Sequence, residues 1–168
     1  MKINIAGVIN CEGARLGFEK EFALGDFEFA GSEYSFETPL KVSGFVENIG
    51  SALKIYISVE GVYKSFCDRC AAVIEKPLFA EVTEDITENR EALDEEMLSL
   101  TGHILDISGA AETLVYTNLP IVNLCSEECK GLCPKCGIDL NKNVCNCDTT
   151  RYDPRFAIFR KLSENGEV

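Results

Sequence analysis

Between Leu40 and Tyr63 apolar and polar positions alternate more regularly than anywhere else in the chain. Leu40, Val42, Gly44 and Val46 are interleaved with Lys41 and Ser43, a period of two that predicts a strand. Asn48-Ile49-Gly50-Ser51 supplies turn chemistry. Beyond it Leu53, Ile55, Ile57, Val59, Gly61 and Tyr63 fall on one face of a second strand, with Lys54, Ser58, Glu60 and Lys64 on the other. Two such segments joined by a tight turn predict an antiparallel hairpin buried on one side. The second strand runs into Cys67-Asp68-Arg69-Cys70, and the apolar stretch Val73 to Val82 predicts a return strand. Pro77 has no N–H for a sheet ladder, so that strand belongs at a sheet edge or carries a bulge.

The rest is less periodic. Met1 to Ile9 alternates weakly and reads as a first strand, whereas residues 12–34, rich in Gly, Phe and Glu without a clean period, read as irregular. The acidic segment 83–103 reads as a solvated loop or a short helix around Arg90 to Leu100. Asp106 to Leu119 predicts a helix: Asp106 or Ser108 can cap it, Ile107, Ala111, Leu114 and Val115 share one face, and Pro120 stops it. A second helix is expected after Asp153, with Pro154 in its first turn and Phe156, Phe159 and Leu162 spaced to pack together. This order predicts an α+β fold around an antiparallel sheet, barrel- or sandwich-like, with two helices and a small cysteine-rich module. The 168 residues suit one compact domain, made of a β-rich body (1–120), the module (121–150) and a C-terminal helix and tail (151–168).

Charge divides the chain. Its 28 acidic and 16 basic residues give a net charge of −12. Residues 121–168 hold seven of each sign, so the whole excess lies in residues 1–120. Residues 81–96 alone carry eight acidic residues against Arg90. An acidic body repels phosphate, which disfavours autonomous tight binding to nucleic acid and leaves a basic partner, or RNA reached through the neutral tail. No apolar run approaches the ~20 residues that cross a bilayer, and the N-terminus lacks a secretory pattern, so a soluble cytoplasmic protein is expected.

Nine cysteines in such a chain need a reason. In a reducing compartment close pairs more often bind metal than form disulfides. Cys133-Pro134-Lys135-Cys136-Gly137 is the most specific motif: two thiolates two residues apart can grip one Zn²⁺ from a tight turn, with glycine supplying the left-handed backbone. Cys145 and Cys147 follow across a turn-rich segment and can complete a four-cysteine site. Cys67/Cys70 and Cys125/Cys129 are then left to form a second site stitching the tail to the sheet; alternatively Cys67/Cys70 join Cys133/Cys136. Spacing does not select between one zinc and two. Four thiolates also suit an iron–sulfur cluster. A redox dithiol would need the C-x-x-C to open a helix in a βαβ unit, which neither pair does. Cys11 has no nearby partner and reads as a small buried apolar side chain.

Little else looks catalytic. His103 is the single histidine and reads as a polar loop residue, and no phosphate-binding or dinucleotide-binding glycine loop occurs. An all-cysteine zinc site is closed to water, so a structural role is expected and no enzyme activity or small-molecule substrate.

The string Leu119-Pro120-Ile121-Val122, Leu124-Cys125, then Cys129-Lys130-Gly131-Leu132-Cys133-Pro134-Lys135-Cys136-Gly137-Ile138-Asp139-Leu140-Asn141, Cys145-Asn146-Cys147 and Asp153-Pro154-Arg155 resembles the YceD family of large-ribosomal-RNA-subunit accumulation proteins. Cys67-Asp68-Arg69-Cys70 after a β-rich half fits the same pattern, and the resemblance covers roughly residues 35–162. It implies a cytoplasmic, non-enzymatic factor supporting accumulation of large-subunit ribosomal RNA. It carries over no catalytic residue. The charge split adds an expectation: the acidic body holds a basic ribosomal protein or keeps the grip on RNA weak, and Arg151, Arg155, Arg160 and Lys161 beside the module contact a large-subunit RNA precursor. The rival readings are a thiol-based redox or metal sensor and a small protein-binding adaptor.

Overall fold

The computed structural model describes residues 1–86 and 98–148. The chain opens with β1 (Lys2–Asn4) and a single helical turn, α1 (Ala6–Ile9), so the weak alternation of the first nine residues is a strand only at its start. β2 (Arg15–Phe22), β3 (Phe27–Phe29) and β4 (Ser32–Tyr34) occupy the stretch whose sequence read as irregular. β5 (Leu40–Asn48), β6 (Leu53–Phe66) and β7 (Val73–Ile86) form the predicted hairpin and its return strand. β8 (Ser99–Thr101) and β9 (Ile104–Asp106) make a short hairpin ahead of α2 (Ser108–Asn118).

Every strand pairing among the described residues is antiparallel. The main sheet has the order β2-β5-β6-β7, flanked by β1-β9-β8 and by the β3-β4 hairpin. Because β2 and β7 end the main sheet unpaired with each other, no closed barrel forms. β7 is the edge strand that Pro77 called for, with Pro77 opposite Val62. The inward rows are those of the sequence pattern: Leu40, Val42 and Val46 of β5 and Ile55, Ile57 and Val59 of β6 are fully buried. Ser58, on the opposite face, is buried too, hydrogen-bonded side chain to side chain with Ser43 at 2.9 Å. Gly44 is a close-approach position, since a Cβ there would lie 1.9 Å from the Tyr56 carbonyl oxygen.

β2 lacks a clean period in its sequence for a physical reason. It is an edge strand in which only Leu16, Phe18 and Phe22 are half-buried, and Lys20 interrupts the apolar row. Its pairing with β5 runs without a break from Arg15 opposite Glu47 to Phe22 opposite Leu40.

α2 packs Ala110, Ala111, Leu114 and Val115 into the core beside Ile107. The N-cap position falls on Ile107, which has no side-chain cap, and neither Asp106 nor Ser108 takes that place; Asp106, one residue earlier, accepts the Ser108 N–H at 3.0 Å. The same carboxylate meets the Met1 ammonium at 2.9 Å, which with the Ser108 contacts holds it down at about 2, well below its ordinary 3.8. The helix expected after Asp153 and the segment 87–97 of the acidic stretch lie outside the described residues.

Candidate metal centre

The tip of the β6-β7 hairpin is built around cysteine. Cys67 follows β6 directly and donates its N–H to the Ala72 carbonyl at 2.8 Å, while Ala71 returns an N–H to the Cys67 carbonyl at 2.7 Å. That second bond curls the backbone so tightly that Ala71 takes φ +56°, a left-handed conformation unusual for a residue with a side chain. The motif at 133–137 repeats the geometry: the Gly137 N–H donates to the Cys133 carbonyl at 2.8 Å, with Gly137 at φ +73°. Two knuckles of one design therefore project two thiols each.

The structure pairs them as two separate clusters. Cys67, Cys70, Cys125 and Cys129 form one, and Cys133, Cys136, Cys145 and Cys147 the other. Within each, all four sulfur atoms lie within 4.8 Å of one another. In the first, the Cys67 and Cys129 sulfurs are 3.9 Å apart and those of Cys70 and Cys125 3.7 Å. A tetrahedron of thiolates with metal–sulfur bonds of ~2.3 Å requires sulfurs about 3.8 Å apart, whereas a disulfide requires about 2.05 Å. The donor sets fit a metal ion. The alternative of joining Cys67/Cys70 to Cys133/Cys136 is not the arrangement adopted.

Electrostatics within each cluster divide the thiols. Burial pushes Cys67 up, but backbone hydrogen bonds around Cys125, Arg69 and Cys70 outweigh it and bring the thiol down to about 6. Cys133 is brought to about 6 chiefly by backbone hydrogen bonds from Cys136 and Lys135. Cys147 is pushed up to about 12, mainly through its hydrogen bond with Cys136. Sulfurs this close cannot all ionise unaided; a cation among them removes the conflict.

What fixes the pairing is a set of polar contacts that cysteine spacing does not reveal. Asn123, fully buried, is joined to Asp68 by two hydrogen bonds: its backbone N–H donates to the Asp68 carboxylate at 2.6 Å and its carbonyl accepts the Asp68 N–H at 2.8 Å. Its side-chain amide donates to the Tyr34 hydroxyl at 2.6 Å, and that hydroxyl donates to the Pro120 carbonyl at 2.7 Å. Arg69 donates to the carbonyls of Cys129 at 2.9 Å and Glu127 at 3.2 Å. Asn141, from the second cluster's segment, donates to the Cys129 sulfur at 3.4 Å and so couples the two clusters. Asp68 and Arg69 were visible inside their motif, but nothing in the sequence marked Asn123 as an anchor.

Cys67, Cys70 and Cys129 are buried with Ile74, whereas Cys125 is exposed. In the second cluster Cys133 is buried, Cys145 and Cys147 are half-buried and Cys136 is exposed. Cys11, expected inside, is exposed just beyond α1. It follows a turn whose apolar contact with the core is made by Val8 instead. His103 is exposed in the β8-β9 turn. Arg151, Arg155, Arg160 and Lys161 lie outside the described residues.

Fold and site together define a small antiparallel-sheet protein whose longest hairpin carries at its tip one four-cysteine cluster, with a second cluster beside it in the segment that follows. The family model described as large ribosomal RNA subunit accumulation protein YceD matches residues 55–163, a span containing all eight clustered cysteines, and the chain belongs to the YceD family. A relative from Arabidopsis thaliana, named large ribosomal RNA subunit accumulation protein YCED homolog 1, chloroplastic, is 25% identical over 163 residues. That alignment covers 79% of this chain and 51% of the relative, so the chain spans about half the length of the curated protein it matches. No solved structure matches significantly.

Proposed function

We propose that this chain is a non-enzymatic cytoplasmic factor supporting the accumulation of large-subunit ribosomal RNA, with Zn²⁺ held structurally by both four-cysteine clusters. The observation that carries the reading is the family match, which spans the β6-β7 tip and both clusters. Zinc suits the donor set because four thiolates at these separations complete a tetrahedron and leave no position for water or substrate. A closed site of this kind stabilises a fold and has no place for a reaction. The net charge of −12 argues for contact with RNA through the charge-neutral end, where Arg151, Arg155, Arg160 and Lys161 are the candidates.

Sedimentation of the tagged protein from growing cells, with and without ribonuclease, tests the reading. Comigration with large-subunit precursors, abolished by ribonuclease, is the expected result, and alanine at the four basic positions should release the protein from the particle. A protein that stays at the top of the gradient in low salt overturns stable particle binding.

A further inference from the structure

A groove runs between the β3-β4 hairpin and the β6-β7 tip, enclosing about 530 Å³. Its apolar surface comes from Phe27, Phe66 and Val73. Phe66 and Val73 face each other across β6 and β7 and are 47% and 63% exposed, a large apolar pair left in solvent one residue from the first cysteine cluster. Its rim is acidic. Glu28 and Glu33 sit directly opposite each other on β3 and β4, and Asp26 precedes them. Like charges facing across two strands weaken their pairing, so this hairpin carries an arrangement that its own stability opposes.

Among the described residues the one cation lining the groove, Lys64, does not relieve it. Lys64 is already held by Glu37 and, at 3.0 Å, by Glu75. Among the described residues none of Asp26, Glu28 and Glu33 has a salt-bridge partner. The groove thus combines exposed apolar walls with uncompensated negative charge, on a body that carries the entire excess of acidic residues. Phosphate is repelled from such a surface, and a purely apolar ligand would leave the carboxylates unanswered.

We infer that this groove binds an extended segment of a basic protein, one that alternates arginine or lysine with apolar residues. Extended backbone sends successive side chains to opposite sides, so one side of the segment lies against Phe66 and Val73 while its cations meet Asp26, Glu28 and Glu33. This deepens the proposed function by giving the factor a protein partner class. It is tested on purified components, so that failure of ribosomal association and failure of the groove are separate results.

The probe is a fluorescent peptide of about ten residues alternating arginine and leucine, titrated into the metal-loaded full chain at low and physiological salt. The triple variant Asp26→Asn, Glu28→Gln, Glu33→Gln should bind it roughly tenfold more weakly. The control triple Glu12→Gln, Glu47→Gln, Asp85→Asn removes the same charge at the opposite end of the main sheet and should stay within about twofold. Unchanged metal content and circular dichroism in both variants exclude unfolding. Amide shifts induced by the peptide should cluster at Asp26–Glu28, Glu33–Ser35, Phe66 and Val73. Equal losses in both triples mean general charge attraction and overturn the inference. Shifts mapping elsewhere, or displacement of the peptide by an oligouridine probe, overturn it as well.

Discussion

Ala71 and Gly137 hold the same place in two knuckles, yet only one is glycine. Each donates its N–H to the first cysteine of its motif from a left-handed backbone, which costs a residue with a Cβ about 1–2 kcal/mol. Ala71→Gly should therefore leave stability unchanged or raise it by up to about 1 kcal/mol, whereas Gly137→Ala should lower it by about 1 kcal/mol, read by thermal melts at saturating zinc. Asp106 makes a pH-dependent contribution. Its folded-state pKa of about 2 lies below the ordinary 3.8, so the stabilisation is full above pH 4 and fades as the solution is acidified towards pH 2. Asp106 is partly exposed, so solvent screening reduces the effect, and Asp106→Asn should cost about 1 kcal/mol at neutral pH. The gap between variant and wild type should close between about pH 4 and pH 2 in parallel denaturant titrations.

At the scale of elements, the two clusters differ in what they join. The second is closed within residues 133–147, with the Leu132–Asp139 bridge flanking its first knuckle. The first links the β6-β7 tip to the segment after α2. Native mass spectrometry should count one zinc in place of two for both Cys70→Ser and Cys145→Ser. Hydrogen exchange should separate them: Cys70→Ser unprotects amides of 121–129, and Cys145→Ser spares them. The hairpin was legible because β5 and β6 are central strands with one buried face, which forces strict alternation. β2 was not, because a half-buried edge tolerates polar interruptions such as Lys20, and β3 and β4 were not, because strands of three residues are too short to show a period. The eight cysteines stood out by spacing, but their pairing depends on Asn123 and Arg69, whose partners are distant in sequence and leave no local trace.

Over the whole molecule, the acidic residues 1–120 and the cysteine-rich segment that follows them meet at the β6-β7 tip. There the first cluster adjoins the apolar pair Phe66 and Val73 and the carboxylates of the β3-β4 hairpin. The first cluster closes a span of 62 residues between Cys67 and Cys129 and of 55 between Cys70 and Cys125. Holding such a span shut in the unfolded chain is worth about 4 kcal/mol in the loop-entropy picture, so the cluster acts on the molecule at long range. Its separation in sequence also sets an order of events during synthesis. When the ribosome has made β6 and β7, the Cys67-Cys70 knuckle has no second pair to complete it. That half-site waits through the making of β8, β9 and α2 before Cys125 and Cys129 arrive. A metal ion bound by all four cysteines would therefore close on strands already synthesised, and the nascent chain carries an open dithiol for as long as translation takes to cross those residues.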